Sequence, residues 1–295
     1  MPVSRRAPST FLLQQRVTAL RRVLPGARSG DVRAVHHARV ATRRLREALP
    51  LVGAGKAGRR LERVARALTG VLGTVRELDV ALLMLDELAR TKGAPSAAVA
   101  CLRRAIGDER GALQRVTTKR IDQCDMDRLQ RKALQALERR SDRRAHPVDR
   151  QAQVAAARRR AARRAARLEA MVDAAGAMYL PDRLHQVRIA VKKLRYALEI
   201  ARDLSGSRAE ARIRSLKRVQ DLLGRMHDLE VLIARTRGLQ AAAVRDLQLS
   251  SDLDQLVRRL ENEARQLHGH YIGQRRALLE LCNRVITAGE PRKAA

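Results

Sequence analysis

An all-α protein built as two similar antiparallel helical bundles is the fold class that three observations in the sequence predict. Apolar residues recur at spacings of three and four along most of the 295 residues, while Gly and Pro gather at candidate breaks and no strand-like alternation persists. The apolar share is 45%, enough for a sizeable core. It is dominated by Ala, Leu and Val, with no Trp, one Phe and three Tyr, a palette that suits closely packed helices. Two sequence blocks also occur twice in the same order, roughly 150 residues apart, which is too long for a solenoid unit and fits a duplicated bundle.

Taken in order, breaks are expected at Pro25 and Gly26, at 53–58, at 93–95, at His146 and Pro147, at Pro181, at 205–207 and at Gly238. Helices of about 15 to 30 residues fill the intervals, lengths suited to bundles. The polar, basic stretch 138–150 (ERRSDRRAHPVDR) reads as a linker between an N-terminal bundle, 1–147, and a C-terminal bundle, 148–295, the two making one domain. The run that follows, 155–167 (AAARRRAARRAAR), is expected to be helical because Ala and Arg are both good helix formers. Arg158, Arg159, Arg160, Arg163, Arg164 and Arg167 nearly encircle it, leaving a narrow Ala seam. A solvated face and a ligand-contacting face both fit that run.

In the first repeated block, 35–49 (VHHARVATRRLREAL) aligns with 184–198 (LHQVRIAVKKLRYAL). His36 meets His185, Arg39 meets Arg188, Arg43 and Arg44 meet Lys192 and Lys193, and Arg46 meets Arg195. In the second, 65–80 (ARALTGVLGTVRELDV) aligns with 216–231 (LKRVQDLLGRMHDLEV), pairing Arg66 with Lys217, Gly73 with Gly224, Glu77 with Asp228 and Asp79 with Glu230. At 3.6 residues per turn, positions i, i+3, i+7 and i+10 fall within about 80 degrees of arc. His36, Arg39, Arg43 and Arg46 therefore form one basic ridge, and His185, Arg188, Lys192 and Arg195 another. Leu45, Ala48 and Leu49, or Val191, Leu194 and Leu198, supply the apolar stripe on the far side.

Stacked like charges repel, so each ridge is a cost unless an anion lies against it. A phosphate chain removes that cost through bidentate guanidinium contacts and released counterions. The formal net charge of +31 and a pI near 11.6 point to a polyanionic partner, with nucleic acid, polyphosphate and anionic membrane as physical candidates. Only eight of the 62 basic residues are Lys, an excess of Arg for which a GC-rich coding bias is the plainer explanation and bidentate phosphate recognition the functional one; position, not composition, separates them. His36 and His185 open the two ridges and fit either ligand contact or a structural hydrogen bond. His37, His146, His227, His268 and His270 lack such pairing, and the spacing of His268 and His270 does not suit a metal site.

Cys101, Cys124 and Cys282 stand far apart, with no metal-finger or disulfide spacing, which fits a reducing cytoplasm. No apolar run approaches the length of a membrane span, and neither signal peptide nor anchor is expected. No cofactor or metal is expected either.

The motif H-x-x-R followed by paired basics and L-R, present at 36–46 and again at 185–195, resembles that of the CHAD domain, the conserved histidine α-helical domain. So do the acidic Leu-Gly segments 72–79 and 223–230, and the resemblance covers nearly the whole chain. It implies a pair of four-helix bundles related by pseudo-twofold symmetry around a central basic cavity or pore that holds inorganic polyphosphate, in proteins associated with cytoplasmic polyphosphate granules. The binding residues it carries over are His36, Arg39, Arg43, Arg44, Arg46 and Arg66, with His185, Arg188, Lys192, Lys193, Arg195 and Lys217. Arg76 and His227 differ at equivalent places, as do Asp79 and Glu230.

Two rival functions are weighed against polyphosphate binding. Catalysis on polyphosphate or triphosphate would need clustered carboxylates to hold divalent ions, and Glu77 with Asp79, or Asp228 with Glu230, is a weak pair amid arginine. Ion pairs that position the ridge arginines are the simpler role, so no enzymatic activity is expected. Non-specific nucleic-acid binding is the stronger rival, opposed by the scarcity of aromatics on which bases could stack.

Overall fold

The computed structural model describes residues 8–52, 55–142, 150–206, 209–242 and 246–289. Among them the regular structure is entirely helical: α1 (Pro8–Ser29), α2 (Val32–Val52), α3 (Gly55–Ala89), α4 (Ser96–Asp122), α5 (Met126–Asp142), α6 (Arg150–Ala175), α7 (Pro181–Ser205), α8 (Glu210–Ala242) and α9 (Leu247–Gly289). Three of these exceed the expected lengths, α3 with 35 residues, α8 with 33 and α9 with 43.

Local chemistry sets the ends. Pro181 opens α7, where its missing N–H costs nothing, and Gly206 closes it in the left-handed region with its N–H on the Arg202 carbonyl at 2.8 Å. Asp125 and Asp246 cap α5 and α9 by accepting from the Arg128 and Leu249 N–H groups at 2.8 and 2.9 Å. The expected break at 93–95 is present, with Pro95 capping α4.

Two expected breaks are absent. Pro25 and Gly26 lie inside α1, which continues to Ser29. Gly26 serves close packing, since a Cβ there would stand 2.7 Å from the Cβ of Ala34 on α2. The chain turns instead at Gly30, whose φ of 85° suits glycine, and Asp31 then caps α2 by accepting from the Ala34 N–H at 2.6 Å. Gly238 likewise lies within α8. A break between α4 and α5, at 123–125, was not among those expected. Of the expected linker, 138–142 is the last turn of α5, and His146 and Pro147 lie outside the described residues.

Three hydrophobic cores hold the helices. The first is built by α1, α2, α3 and α5, with Ile200, Ala201 and Leu204 of α7 reaching into it. The second lies among α6, α7, α8 and α9. The third joins α3 and α4 to α8 and α9, through Leu78, Leu85, Leu102, Leu229, Leu253 and Leu256 among others. The two ridge helices, α2 and α7, pack against each other, as do α3 and α8. In α6 the Ala seam is real: Ala157, Ala161 and Ala165 are buried at four-residue intervals, while Arg158, Arg159, Arg163 and Arg167 are exposed. Arg160 and Arg164 turn to Glu47 on α2, at 2.7 and 3.7 Å.

Candidate functional site

The apolar stripes of α2 and α7 enter the cores, which directs part of each basic ridge into the space between the two helices. Val35, Ala38, Leu45 and Ala48 are fully buried on α2, and Val187, Val191 and Leu194 on α7. Arg39 then lies over Gly73 of α3, where an added Cβ would stand 3.4 Å from its Nε. Arg188 lies over Gly224 of α8 in the same manner, at 4.0 Å. Each Leu-Gly segment thus passes beneath a ridge guanidinium, at a distance where an added Cβ would make ordinary van der Waals contact. Nε of both arginines is buried with no hydrogen-bond partner.

Electrostatics mark these groups as a single cluster. Burial lowers the pKa of Arg39 to about 10, helped by the charges of Arg43, Arg188 and Arg76. Arg188 is lowered by burial, with Asp228 opposing. Lys192 is only 9% exposed. Its pKa falls from the ordinary 10.5 to about 6 through burial and then through Arg188, Arg43 and Arg39, against Asp228. Asp228 is itself raised by burial, although Arg188, Arg76, Arg225 and Arg39 pull it down. Three guanidinium groups and one amine from both halves of the chain, those of Arg39, Arg43, Arg188 and Lys192, therefore share a site in which Asp228 is the acid that acts on both Arg188 and Lys192.

His36, His185 and His227 border this cluster, each with its pKa lowered first by burial. His36 is pushed down to about 4 by burial and the charge of Arg76. His185 faces His227 of α8, with their Nδ1 atoms 3.1 Å apart and one ring donating to the other. Burial and Arg188 take His227 to about 3. His227 and Arg76 are thus site residues that the ridge pattern alone does not reveal. Their equivalent places in the second repeated block, next to Glu77 and Asp228, were the available signal.

Arg44 and Arg195 have a different task. Arg44 donates from Nε and Nη2 to the two carboxylate oxygens of buried Glu199, at 2.9 and 3.3 Å. Arg195 donates to the same carboxylate and, from Nε, to Gln220 Oε1 at 3.0 Å. Glu199 therefore ties α2 to α7, and Arg195, its i,i+4 partner, carries the link on to Gln220 of α8; the contact with Arg44 is tertiary and no local motif announces it. Lys193 points the other way, into a groove of about 140 Å³ between α6 and α7 shared with Arg164 and Arg167. Arg46 is partly buried, and its pKa is lowered by burial and then by Arg66. Arg66 is exposed and donates to Glu62 at 3.1 Å. Lys217 is exposed on the face of α8 that carries Gln220 and Gly224.

The acidic residues of the second blocks do not bond the ridge arginines directly. Asp79 accepts from Arg110 Nε at 3.1 Å, and Arg110 also donates to the Gly30 carbonyl at 2.5 Å. Glu230 accepts from the Tyr179 hydroxyl. Asp228 and Glu77 act on Arg188 through space, and Asp228 also couples to Lys192 and Arg39. Among the described residues no three His, Cys, Asp or Glu side chains gather as a metal shell would require. No helix among the described residues is long and apolar enough to cross a membrane.

The CHAD domain family model matches residues 12–237 of the chain. The crystal structure of the CHAD domain from the plant Ricinus communis superposes with a TM-score of 0.57 at 22% identity, covering 98% of this chain and 93% of that one. No curated protein matches.

Proposed function

The chain belongs to the CHAD domain family, and from that premise we propose that its buried basic cluster binds inorganic polyphosphate without turning it over. One observation carries the reading: Arg39, Arg43, Arg188 and Lys192 are drawn together from two helices and desolvated enough to depress Lys192 to about 6. Buried like charges persist only where something compensates them, and a chain of phosphates supplies both the charge and the acceptor oxygens. Attachment to cytoplasmic polyphosphate granules is part of the same proposal.

The absence of turnover is supported by the state of the carboxylates. Asp79 is occupied by Arg110, Glu199 by two arginines, and Asp228 stands among cations that would repel a divalent ion. Nucleic acid is disfavoured because Tyr196 and Tyr271 are buried, and the single Phe, Phe11, stands alone on α1.

The test is a titration with long-chain polyphosphate and duplex DNA as competitors at moderate salt. Polyphosphate displaces bound DNA, and incubation with magnesium releases no orthophosphate. DNA that stays bound against excess polyphosphate overturns the reading, and steady phosphate release overturns its non-catalytic part.

A further inference from the structure

The first turns of α3 repeat the spacing of the ridge on α2. Lys56, Arg59, Arg63 and Arg66 occupy positions i, i+3, i+7 and i+10 and so share one helical face. All four are exposed, and with Glu62 they line a surface depression of about 450 Å³. Glu62 is the one acid in that lining, and it is engaged by Arg66. The depression is not isolated from the buried cluster. Arg46 feels the charges of both Arg66 and Arg43, so the basic path runs from Arg43 through Arg46 to Arg66 and on to Lys56.

The other half does not repeat this ridge position for position. Carrying the alignment of the second block back along α8 pairs Arg66 with Lys217 and Arg63 with Arg214, but Arg59 with Glu210 and Lys56 with Ser207. Two cations have become an acid and a neutral residue. The aligned positions of the two ridges therefore differ in charge.

Resting on the polyphosphate reading, we propose that the α3 ridge is a second phosphate-binding segment, over which a long polyphosphate chain leaves the buried cluster on the α3 side. A short oligomer that fills only the cluster does not reach it. The binding site thus has a direction, and chain-length preference resides in Lys56, Arg59 and Arg63.

Because these three side chains are exposed, the triple variant Lys56→Ala, Arg59→Ala, Arg63→Ala keeps its helicity, checked by circular dichroism. It binds long-chain polyphosphate roughly tenfold more weakly, with the slope of log affinity against log salt reduced by about 2, while tripolyphosphate binding is unchanged. The control Arg212→Ala, Arg214→Ala on α8 changes the long-chain affinity little. An unchanged long-chain affinity in the triple variant, or equal losses for both ligands or both variants, overturns the exit ridge and leaves the buried site standing. Wild-type protein that binds neither ligand overturns both proposals.

Discussion

Lys192 holds an ammonium group in a place that opposes its charge. Its pKa of about 6 lies below the ordinary 10.5, so between those values the unfolded chain binds a proton that the folded chain does not. The contribution of this group to stability therefore rises with pH across that window. A phosphate beside Lys192 reverses the preference, because the anion raises the pKa again. Binding in the same window must then take up a proton, and affinity must fall as pH rises. Arg39, Arg43 and Arg188 face the same space; Arg39, at about 10, stays charged at neutral pH, and His36 and His227, at about 4 and 3, start too low to report near pH 8. Calorimetry at about pH 8 in two buffers of different ionisation heat will find an uptake approaching one proton per site. The variant Lys192→Met will lose that uptake while binding more weakly. Buffer-independent heats in the wild type would show that Lys192 does not meet the ligand.

At the scale of the helix, the ridges and the Arg-rich run of α6 are both basic, but only the ridges are buried among like charges. The variant Arg39→Gln, Arg43→Gln, Arg188→Gln with Lys192→Met should lose at least tenfold in polyphosphate affinity, since several phosphate contacts vanish together. Its melting temperature should hold or rise, because repulsion and desolvation are relieved with little change of volume. Neutralising the exposed Arg158, Arg159, Arg163 and Arg167 of α6 should change affinity much less. Equal losses from the two sets would mean diffuse charge and no defined site. The spacing of three and four that exposes the ridges was fully legible in the sequence, as was the Ala seam of α6, because both follow from helical geometry. Legibility failed where a residue answers to a neighbouring helix. Pro25 and Gly26 read as a break, yet Gly26 sits against Ala34, and the turn comes at Gly30 and Asp31, a glycine and cap pair that local rules could have found. Arg195 and Glu199 stand at i,i+4, within reach of a helical spacing rule, but Arg44 matched the binding motif and its partner Glu199 is 155 residues away in sequence. No spacing rule reaches that far.

The whole molecule is held by contacts between the two halves of the chain as well as within them. Each half contributes helices to the third core, where Leu78, Leu85, Leu102 and Ile106 of the first half meet Leu229, Leu232, Leu253 and Leu256 of the second. The first core also takes Ile200, Ala201 and Leu204 from α7, beside the link through Glu199 and Arg195 that joins α2, α7 and α8. Fully burying a Leu or Ile side chain contributes about 2 kcal/mol, against a net stability of roughly 5–15 kcal/mol for a typical protein. Stripping one wall from several such residues at once removes a margin of that size. Residues 1–147 expressed alone should therefore show helical circular dichroism but broad, non-cooperative melting and binding of a hydrophobic dye. Mixing with 148–295 should restore one sharp transition, and polyphosphate should move that transition upward because its cations come from both pieces. A sharp melt of 1–147 by itself, unaffected by the second piece, would mean that the shared core is a docking surface between independent bundles. The site between α2 and α7 would then open and close with that docking, and affinity for polyphosphate would depend on the concentration of the two pieces.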